Sequence, residues 1–384
     1  MLAHFAHHLL TALPIPLLPL IRSEFRLGYT QAGLVVFVFN LAYGIGQLPA
    51  GWLADRIGTR VLITVGICGV AVAGILVGLS QTYLMMMVFL VLMGVLGGGY
   101  HPSAAPLISK SVEPKNLGRA LGFHLIGGSG SFFLAPLIAA GIATAWGWRG
   151  PFIGLAVPTV IFGIIFYLLL GGRVDTRPSR EIVSEVPEEE PSPVGRWRRL
   201  AVFMVLTIFT QAVTFSTIAF IPLFIVDNFG VGEEVAATFL SIIYSAGLWA
   251  SPLGGYLSDR FGRLRVILLA CLIISPLIYL LNLVSYGPGI GALLLFIGMV
   301  MYIRMPASES YVISQTTQRR RSTVLGIYYF TGMEAGAVFA PIMGFLIDRF
   351  GFHTSFSIAG IAIVVVTMIC SGFLWRSREQ ISEN

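Results

Sequence analysis

Two charged side chains inside long apolar stretches are the residues of this sequence best placed to do chemistry. Arg304 and Glu334 lie roughly 13 Å and 20 Å into their predicted helices, at a rise of 1.5 Å per residue. A charge in the middle of a bilayer costs ~2.5–3.5 kcal/mol or more, so each needs a partner or a water-filled cavity. Either Arg304 attracts an anionic group of a solute, with Glu334 as its resting partner or as a proton carrier, or the two form a permanent ion pair. We favour the first arrangement, because apolar packing could replace a purely structural pair at little loss of stability.

Histidines supply the second candidate chemistry, because their charge changes near neutral pH. His101 and His124 are expected about 10 Å from the same membrane face on consecutive helices, where they could face one another. Such a pair would carry a coupling proton or bind a substrate oxygen; alternatively, each donates a hydrogen bond to a backbone carbonyl. His4 and His8, one turn apart on the first helix, are expected to be solvated. Four further side chains are candidates for hydrogen bonds or aromatic contacts with a solute: Tyr100, Gln211, Tyr244 and Tyr328.

The sequence shows no pattern of residues that is typical of an enzyme or a metal centre. Cys68, Cys271 and Cys370 lie far apart in apolar runs, without the spacing of metal ligands or of a disulfide framework. No glycine cluster has the form G-x-x-x-x-G-K-[ST] that binds nucleotide phosphates. A membrane-embedded enzyme or sensor, the alternative from another class, would need a clustered nucleophile and base or a metal-ligand set, and only scattered histidines are found. We therefore expect no catalytic residues, no cofactor and no metal.

The composition places these residues in a membrane. Of the 384 residues, 56% are hydrophobic and 11% are charged, whereas a soluble domain has roughly 25% charged residues. A soluble enzyme, a nucleic-acid-binding protein and a secreted disulfide-stabilised protein are therefore excluded. The apolar runs are long enough for helices, which need ~20 residues to cross a bilayer, and too long for the strands of a barrel. They predict an all-α membrane protein with twelve transmembrane helices, at about residues 2–21, 30–53, 61–81, 83–108, 117–143, 149–171, 200–226, 233–257, 263–283, 288–313, 321–347 and 353–374.

The distribution of basic residues predicts the orientation, because Lys and Arg near helix ends are retained on the cytoplasmic side. With both termini in the cytoplasm, 19 of the 24 Lys and Arg residues fall in cytoplasmic segments, and only Arg22, Arg26, Arg149 and Arg349 lie outside. The polar, proline-bearing segment 172–199 has too little apolar surface to fold alone, which predicts a cytoplasmic linker. We expect a multi-pass protein of a plasma or bacterial inner membrane, divided into residues 1–171, the linker and residues 200–384.

The two parts of the chain repeat one another. Residues 51–58 read G-W-L-A-D-R-I-G, and residues 255–262, at a spacing of 204, read G-Y-L-S-D-R-F-G. Leu121-Gly122 and Leu325-Gly326 keep the same spacing. Recurrence at one spacing indicates an internal duplication. Duplicated membrane parts favour a transporter in which two pseudo-symmetric six-helix halves rock about a site between them.

The paired loops of the form G-x-L-x-D-R-x-G resemble the signature of the major facilitator superfamily, and the resemblance covers nearly the whole chain. Within that superfamily, His4-Phe5 and the run Gly99-Tyr100-His101-Pro102-Ser103 look like the fosmidomycin-resistance-like branch of drug efflux proteins. That branch typically has an Asn-Asp pair in its first helix, where this chain has His7-His8. The resemblance implies the twelve-helix fold of this superfamily and transport by alternating access.

The resemblance also implies that the paired loops latch the outward-facing state. Asp55 and Asp259 can accept hydrogen bonds from exposed amides at the N-terminus of a neighbouring helix. Gly51 and Gly255 would allow helices to cross closely. Three basic residues of the loops would pair with acidic side chains or lipid phosphates: Arg56, Arg260 and Arg263. The alternative, that these charges only set the orientation, explains the arginines but not the aspartates.

These features together predict a secondary active transporter of a small organic solute, and not an enzyme. Proton-coupled efflux of a drug or an anionic metabolite is the favoured form. Uptake or facilitated diffusion of a metabolite without proton coupling is the alternative. The expected partners are the solute, protons and the lipid bilayer, with no nucleic acid, and we expect the protein to act as a monomer.

Overall fold

The computed structural model describes residues 1–113, 116–171, 196–316 and 321–382, and over these ranges it contains helices and no strand. The α-helices are α1 (Leu2–Thr11), α2 (Leu18–Phe25), α3 (Tyr29–Ile57), α4 (Thr59–Gly78), α5 (Tyr83–Gly97), α6 (Tyr100–Ser111), α7 (Leu117–Trp146), α8 (Arg149–Leu170), α9 (Arg196–Ala219), α10 (Ile221–Phe229), α11 (Glu233–Ser245), α12 (Ala250–Phe261), α13 (Arg263–Leu280), α14 (Pro288–Ser314) and α15 (Arg321–Ser382). The prediction of an all-α protein is confirmed. Residues 172–195 of the predicted linker lie outside the described ranges, and α9 begins earlier than expected, inside the last part of that segment.

Twelve crossings of a bilayer can be traced in the described residues. Nine segments are long and apolar enough by themselves, and α11 with α12, which are bent by 46° at their junction, makes a tenth. The segment Val324–Leu374 holds two crossings, because α15 is broken at Gly351 and its 51 residues far exceed the ~20 that span a membrane. The pair α1 and α2 makes the remaining crossing. Pro14 and Pro16 lie between these two helices, where proline removes the amide hydrogens that a continuous helix needs.

The last glycine of each repeated loop is required by the backbone. Gly58 joins α3 to α4, and Gly262 joins α12 to α13. Both have a φ of 90°, a conformation that residues with a side chain adopt only with strain. The tight reversal between helices therefore explains why glycine recurs at this position.

The two halves of the chain meet along two seams between helices. Within the first half α3 packs on α5, and α4 packs on α5 and α8; within the second half α13 packs on α14 and α15. Between the halves, α3 packs against α15 and α7 packs against α11. In the second of these seams, the hydroxyl of Ser241 donates a hydrogen bond to the carbonyl oxygen of Phe133 at 2.7 Å.

The seam between α3 and α15 is tight at one membrane face, which we call the closed face and which carries Gly28 and Asp348. A Cβ atom built on Gly28 would lie 3.4 Å from the carboxylate of Asp348. One turn further along α3, a Cβ atom on Gly33 would lie 2.6 Å from the carbonyl oxygen of Ala340 and 2.7 Å from the Cα atom of Pro341. Only a residue without a side chain allows the two backbones to approach this closely.

The halves diverge toward the opposite membrane face, which carries Gly58 and Gly262 and which we call the open face. Close contact along α3 continues as far as Gly44, roughly 24 Å from Gly28 at 1.5 Å per residue. Beyond that level, a Cβ atom on Gly122 of α7 or on Gly326 of α15 would meet nothing within 4 Å. The closest described approach of α3 to α15 is therefore on the side of the closed face.

Candidate solute-binding site

Arg304 of α14 is a buried cation whose partners are neutral. Its side chain is 4% exposed. It donates hydrogen bonds to the Oε1 atom of Gln211 at 2.8 Å and to the carbonyl oxygen of Thr207 at 3.4 Å. These acceptors lie four residues apart on α9, so that one face of that helix presents both of them to the guanidinium. The predicted pair with Glu334 is not formed in this conformation, in which the described partners of Arg304 are the side-chain amide of Gln211 and the carbonyl group of Thr207.

Glu334 of α15 lies at the seam between the halves. The side chain is half-buried, and its Oε2 atom has no hydrogen-bond partner among the described residues. A Cβ atom on Gly44 of α3 would overlap the Glu334 carboxylate, so the glycine provides the space for it. A carboxyl group between two packed helices suits a group that binds or releases a proton when the seam opens, and this role stays a prediction.

A cavity of about 130 Å³ lies between the halves and is the candidate solute site. Its lining includes five polar side chains: His8, Thr11, Asn40, Tyr43 and Tyr244. The rings of Phe132 and Tyr244 lie 5.5 Å apart across the seam between α7 and α11.

Of the predicted solute contacts, Tyr244 lies in the wall of this cavity. Tyr328 packs instead against an apolar cluster of the second half, and Gln211 binds Arg304.

Asn40 and Tyr43, which line the cavity from α3, were not predicted from the sequence. Asn40 donates a hydrogen bond to the carbonyl oxygen of Val36 at 2.8 Å. Both residues are polar interruptions of an apolar run, and such residues in a membrane helix generally face the interior of the bundle. That signal was present in the sequence, but nothing in it indicated which of several polar residues would share one cavity.

Histidine rings from three helices form a buried cluster around His4. The ring of His4 stacks on that of His124 at 4.1 Å and meets that of His101 edge-on at 5.2 Å. The rings of His4 and His8 lie 4.7 Å apart. His101 and His124 are thus brought together, with His4 in contact with both. The expectation that His4 and His8 are solvated is wrong, because α1 lies inside the bundle against α4, α7 and α8.

His7 and Tyr100 also belong to this cluster. The Nδ1 atom of His7 donates to the carbonyl oxygen of Gly66 at 3.1 Å, and its Nε2 atom accepts from the hydroxyl of Tyr43 at 2.9 Å. The ring of Tyr100 is 1% exposed and stacks on His7 at 4.4 Å. Tyr100 is therefore a packing residue behind the histidines in this conformation. It is not part of the cavity wall that the structure describes.

Two aspartates of the second half hold the closed face together. The carboxylate of Asp348 accepts hydrogen bonds from the amides of Tyr29 and Thr30, each at 2.8 Å, and from the hydroxyl of Thr30 at 2.6 Å. These are the exposed amides at the start of α3, where a helix favours a negative charge. The carboxylate of Asp227 accepts from Arg22 at 2.9 Å and also from the hydroxyl of Tyr29. We call these contacts the closed-face latch.

The sequence around Asp348 repeats the loop pattern a third time. Residues 344–351 read G-F-L-I-D-R-F-G, which is again G-x-L-x-D-R-x-G. The last residue, Gly351, has a φ of 73°, as its position in the pattern requires. This copy is not among the residues predicted above, although the pattern itself identifies it. Its aspartate makes the contact that was predicted for the other two copies, an acceptor at the N-terminus of a helix from the opposite half.

The two predicted loops at the open face make local contacts. The guanidinium of Arg56 lies 3.9 Å from the ring centre of Trp52, and Arg260 donates to the hydroxyl of Tyr256 at 2.8 Å. Asp259 and Arg263 are exposed. The structure does not describe the surroundings of Gly51 or the side chain of Asp55. The role of these loops as a latch of the opposite conformation remains a prediction.

Gly255 is not at a helix crossing in this conformation. A Cβ atom on Gly255 would meet nothing within 4 Å, whereas one on the preceding residue, Gly254, would overlap the backbone of Ile303. The close approach of α12 to α14 therefore depends on Gly254. The predicted role of Gly255 in the opposite conformation remains a prediction, because a repeat locates a helix without specifying which of two adjacent glycines faces its neighbour in a given conformation.

Comparison with known proteins gives matches along the whole chain. A family profile described as Major Facilitator Superfamily matches residues 1–341 and 203–384. The chain is 27% identical over 371 residues to "Multidrug resistance protein MdtG" of Enterobacter lignolyticus (strain SCF1), covering 92% of this chain and 86% of that protein. It is 25% identical over 382 residues to "Probable sulfoacetate transporter SauU" of Cupriavidus necator, covering 93% and 87%.

Solved structures of transporters share the fold. A bacterial homologue of the human lysosomal transporter Spinster, in an inward-facing and occupied conformation, superposes with a TM-score of 0.80 at 16% identity, over 98% of this chain and 95% of that one. A mutant of the nucleoside transporter NupG gives a TM-score of 0.80 at 12% identity, over 97% and 98%. At these identities the likeness concerns the fold alone.

Proposed function

We propose that this chain, which belongs to the major facilitator superfamily, exports an anionic organic solute across a bacterial inner membrane in exchange for protons. The observation that carries this proposal is Arg304, a buried guanidinium whose partners are a neutral amide and a carbonyl. An unneutralised cation at membrane depth is costly unless an anion offsets it for part of the time. One relative is named as a probable transporter of sulfoacetate, which carries two negative charges, and another as a multidrug resistance protein.

Glu334 is the proposed proton carrier. Its carboxyl group lies at the seam between the halves and lacks a hydrogen-bond partner on one oxygen. Because the seam between α3 and α15 must open when the halves rock, the exposure of this group changes with conformation. Exchange of a proton at Glu334 would then be linked to the alternation of access, which is the requirement for coupling.

The two faces support transport by alternating access between the halves 1–171 and 200–384, joined by the segment 172–199. With both termini in the cytoplasm, the open face is cytoplasmic and the described conformation is inward-facing. The closed-face latch then stabilises the inward-facing state, and the loops at residues 51–58 and 255–262 stabilise the outward-facing one. A single bundle supplies both halves of the cavity, so we propose that the monomer is the functional unit.

Transport by purified protein in lipid vesicles tests the proposal. Radiolabelled sulfoacetate is the probe, with a neutral sugar as the comparison solute, and a pH jump imposes a proton gradient. We expect sulfoacetate to move up its gradient when protons move down theirs, and we expect the flux to fall to background when an uncoupler removes the gradient. A sulfoacetate flux that does not change with the proton gradient would show an uncoupled carrier. The absence of any sulfoacetate flux would remove the support for this anion as the solute.

Substitution Asp348→Asn is expected to shift the conformational equilibrium away from the closed face. A negative charge at a helix N-terminus contributes about 0.3–1 kcal/mol, so loss of the charge should change the inward/outward ratio about two- to fivefold. Double electron–electron resonance between labels at exposed positions 81 and 286, one in each half at the closed face, measures this ratio. The labels are introduced after replacement of the native cysteines Cys68, Cys271 and Cys370.

The matched control is Glu24→Gln. Glu24 lies at the same face and accepts hydrogen bonds from Trp148 at 2.7 Å and from Arg149 at 2.5 Å, all within the first half of the chain. Its loss should lower thermal stability without moving the distance distribution between the halves. Equal shifts for the two variants would show that Asp348 acts through general stability, and no shift for Asp348→Asn would contradict the latch.

A further inference from the structure

Three histidines of the cluster, His4, His8 and His101, have the composition of a metal site. One ring nitrogen from each of His4, His8 and His101 lies within 4.8 Å of the other two. His4 and His8 are four residues apart and therefore project from the same face of α1, a spacing that metal-binding helices use. His101 comes from α6. Neutral imidazole nitrogens are suitable ligands for zinc, copper, nickel and iron.

The hydrogen bonds of His4 leave one of its nitrogens free to bind a metal. Its Nδ1 atom lies 2.8 Å from the carbonyl oxygen of His124. A carbonyl can only accept, so Nδ1 carries the hydrogen and Nε2 presents its lone pair. The Nε2 atom is buried without a partner, in a side chain that is 4% exposed. A metal-binding histidine almost always donates its other N–H to such a carbonyl, and an unsatisfied buried nitrogen calls for an explanation.

The other histidines of the cluster indicate which rings belong to the site. The Nδ1 atom of His8 lies 2.9 Å from the hydroxyl of Thr11, which leaves its Nε2 atom available. Both nitrogens of His7 are already bonded, to Gly66 and to Tyr43, so His7 is a structural member. We propose that His4, His8 and His101 bind a divalent transition-metal ion. Around a tetrahedral ion, nitrogens at about 2.0–2.1 Å lie roughly 3.3 Å apart, so the rings must close by at most about 1.5 Å.

The position of the site connects it with the cavity. His8 lines the cavity and also belongs to the metal-binding set. Three protein ligands leave the fourth position of a tetrahedral ion for water or for a donor atom of a bound molecule. The three imidazoles are neutral, so the ion keeps its double charge and favours an anion beside it. This last consequence rests on the proposed transport of anions, whereas metal binding itself does not.

Titration of the purified protein with Co²⁺ tests the site without any transport assay. The protein must carry no polyhistidine tag. We expect one Co²⁺ per chain, the visible absorption of tetrahedral cobalt, and its loss when Zn²⁺ displaces the cobalt. His8→Gln and His101→Gln should weaken binding at least tenfold, since even loss of an outer-shell partner costs about 10–100-fold in metal affinity. His353→Gln is the matched control, because the sixth histidine is exposed and belongs to the opposite half.

Each outcome decides for or against the site. One-to-one binding that both cluster variants weaken and that His353→Gln leaves unchanged supports the proposal. Absence of stoichiometric binding by the unmodified protein, or equal affinity in all variants, would overturn it and leave the cluster as a set of neutral histidines. Should a cluster variant fail to fold in a thermal unfolding assay, X-ray absorption of the zinc-loaded unmodified protein decides, with three imidazole nitrogens at about 2.0 Å expected.

Discussion

Substitution Gly33→Val is expected to lower transport strongly by opposing closure of the closed face. The new Cβ atom would lie 2.6 Å from the carbonyl oxygen of Ala340 and 2.7 Å from the Cα atom of Pro341. Both are backbone atoms of the opposite half, and no rotamer change can move them away. Overpacking costs about 1–3 kcal/mol and sometimes more, which changes an equilibrium about 5–150-fold. The clash is relieved by separating the halves, so we expect the protein to remain folded but to populate the outward-facing state.

Spin-label distances across the closed face and flux in vesicles measure the two effects of this substitution. The control Gly141→Val introduces the same side chain at a position in α7 where a Cβ atom would meet nothing within 4 Å. The control should keep both the distance distribution and the flux of the unmodified protein. Normal transport by Gly33→Val would show that the seam between α3 and α15 does not need to close, which contradicts alternating access by rocking of the two halves.

The architecture could be predicted from the sequence because it depends on length, polarity and repetition. A run of about 20 apolar residues has one stable arrangement in a bilayer, a helix that satisfies its own backbone groups. The repeat of Gly58 and Gly262 likewise corresponds to one backbone conformation, a turn with positive φ between two helices. Such features are local, and neighbouring residues are enough to determine them. The interruption between α1 and α2 follows from Pro14 and Pro16 in the same way.

The site could be predicted only in part, because side chains from distant segments meet there. Depth along a helix predicted that Arg304 and Glu334 lie inside the membrane, but depth gives no rotation about the helix axis. The structure turns Arg304 toward Gln211 on α9 and Glu334 toward Gly44 on α3. For the histidines, the missing information was the place of α1 inside the bundle, which makes two rings that were expected to be solvated into members of a buried cluster.

The loop pattern G-x-L-x-D-R-x-G occurs three times, twice at the open face and once at the closed face. The copy at residues 344–351 has no counterpart in the first half, where the position 204 residues before Asp348 is Thr144. The latch at the closed face is therefore asymmetric. The second half supplies the carboxylate of Asp348, and the first half supplies the helix N-terminus at Tyr29 and Thr30. A duplicated fold thus need not give the two membrane faces equivalent contacts.

Substitution Arg304→Gln is expected to lower the affinity for an anionic solute by about 10–150-fold. Hydrogen bonds to a charged group contribute about 1.5–3 kcal/mol, and the neutral amide removes the charge while it keeps most of the volume. The loss should be seen as a raised KM for sulfoacetate, because the guanidinium acts on binding. Arg304→Lys should have an intermediate effect, since lysine keeps the charge but lacks the fork that reaches Gln211 and Thr207 together.

The control for charge is Arg265→Gln, which removes one positive charge at an exposed position. It should leave the KM for sulfoacetate unchanged, because a solvated charge outside the membrane is screened over about 8–10 Å by salt. Thermal unfolding of each variant separates a lost subsite from a lost fold. If Arg304→Gln transports sulfoacetate with an unchanged KM and Arg304→Lys does too, the arginine is structural: it joins α14 to α9 through Gln211, and other residues must recognise the anion.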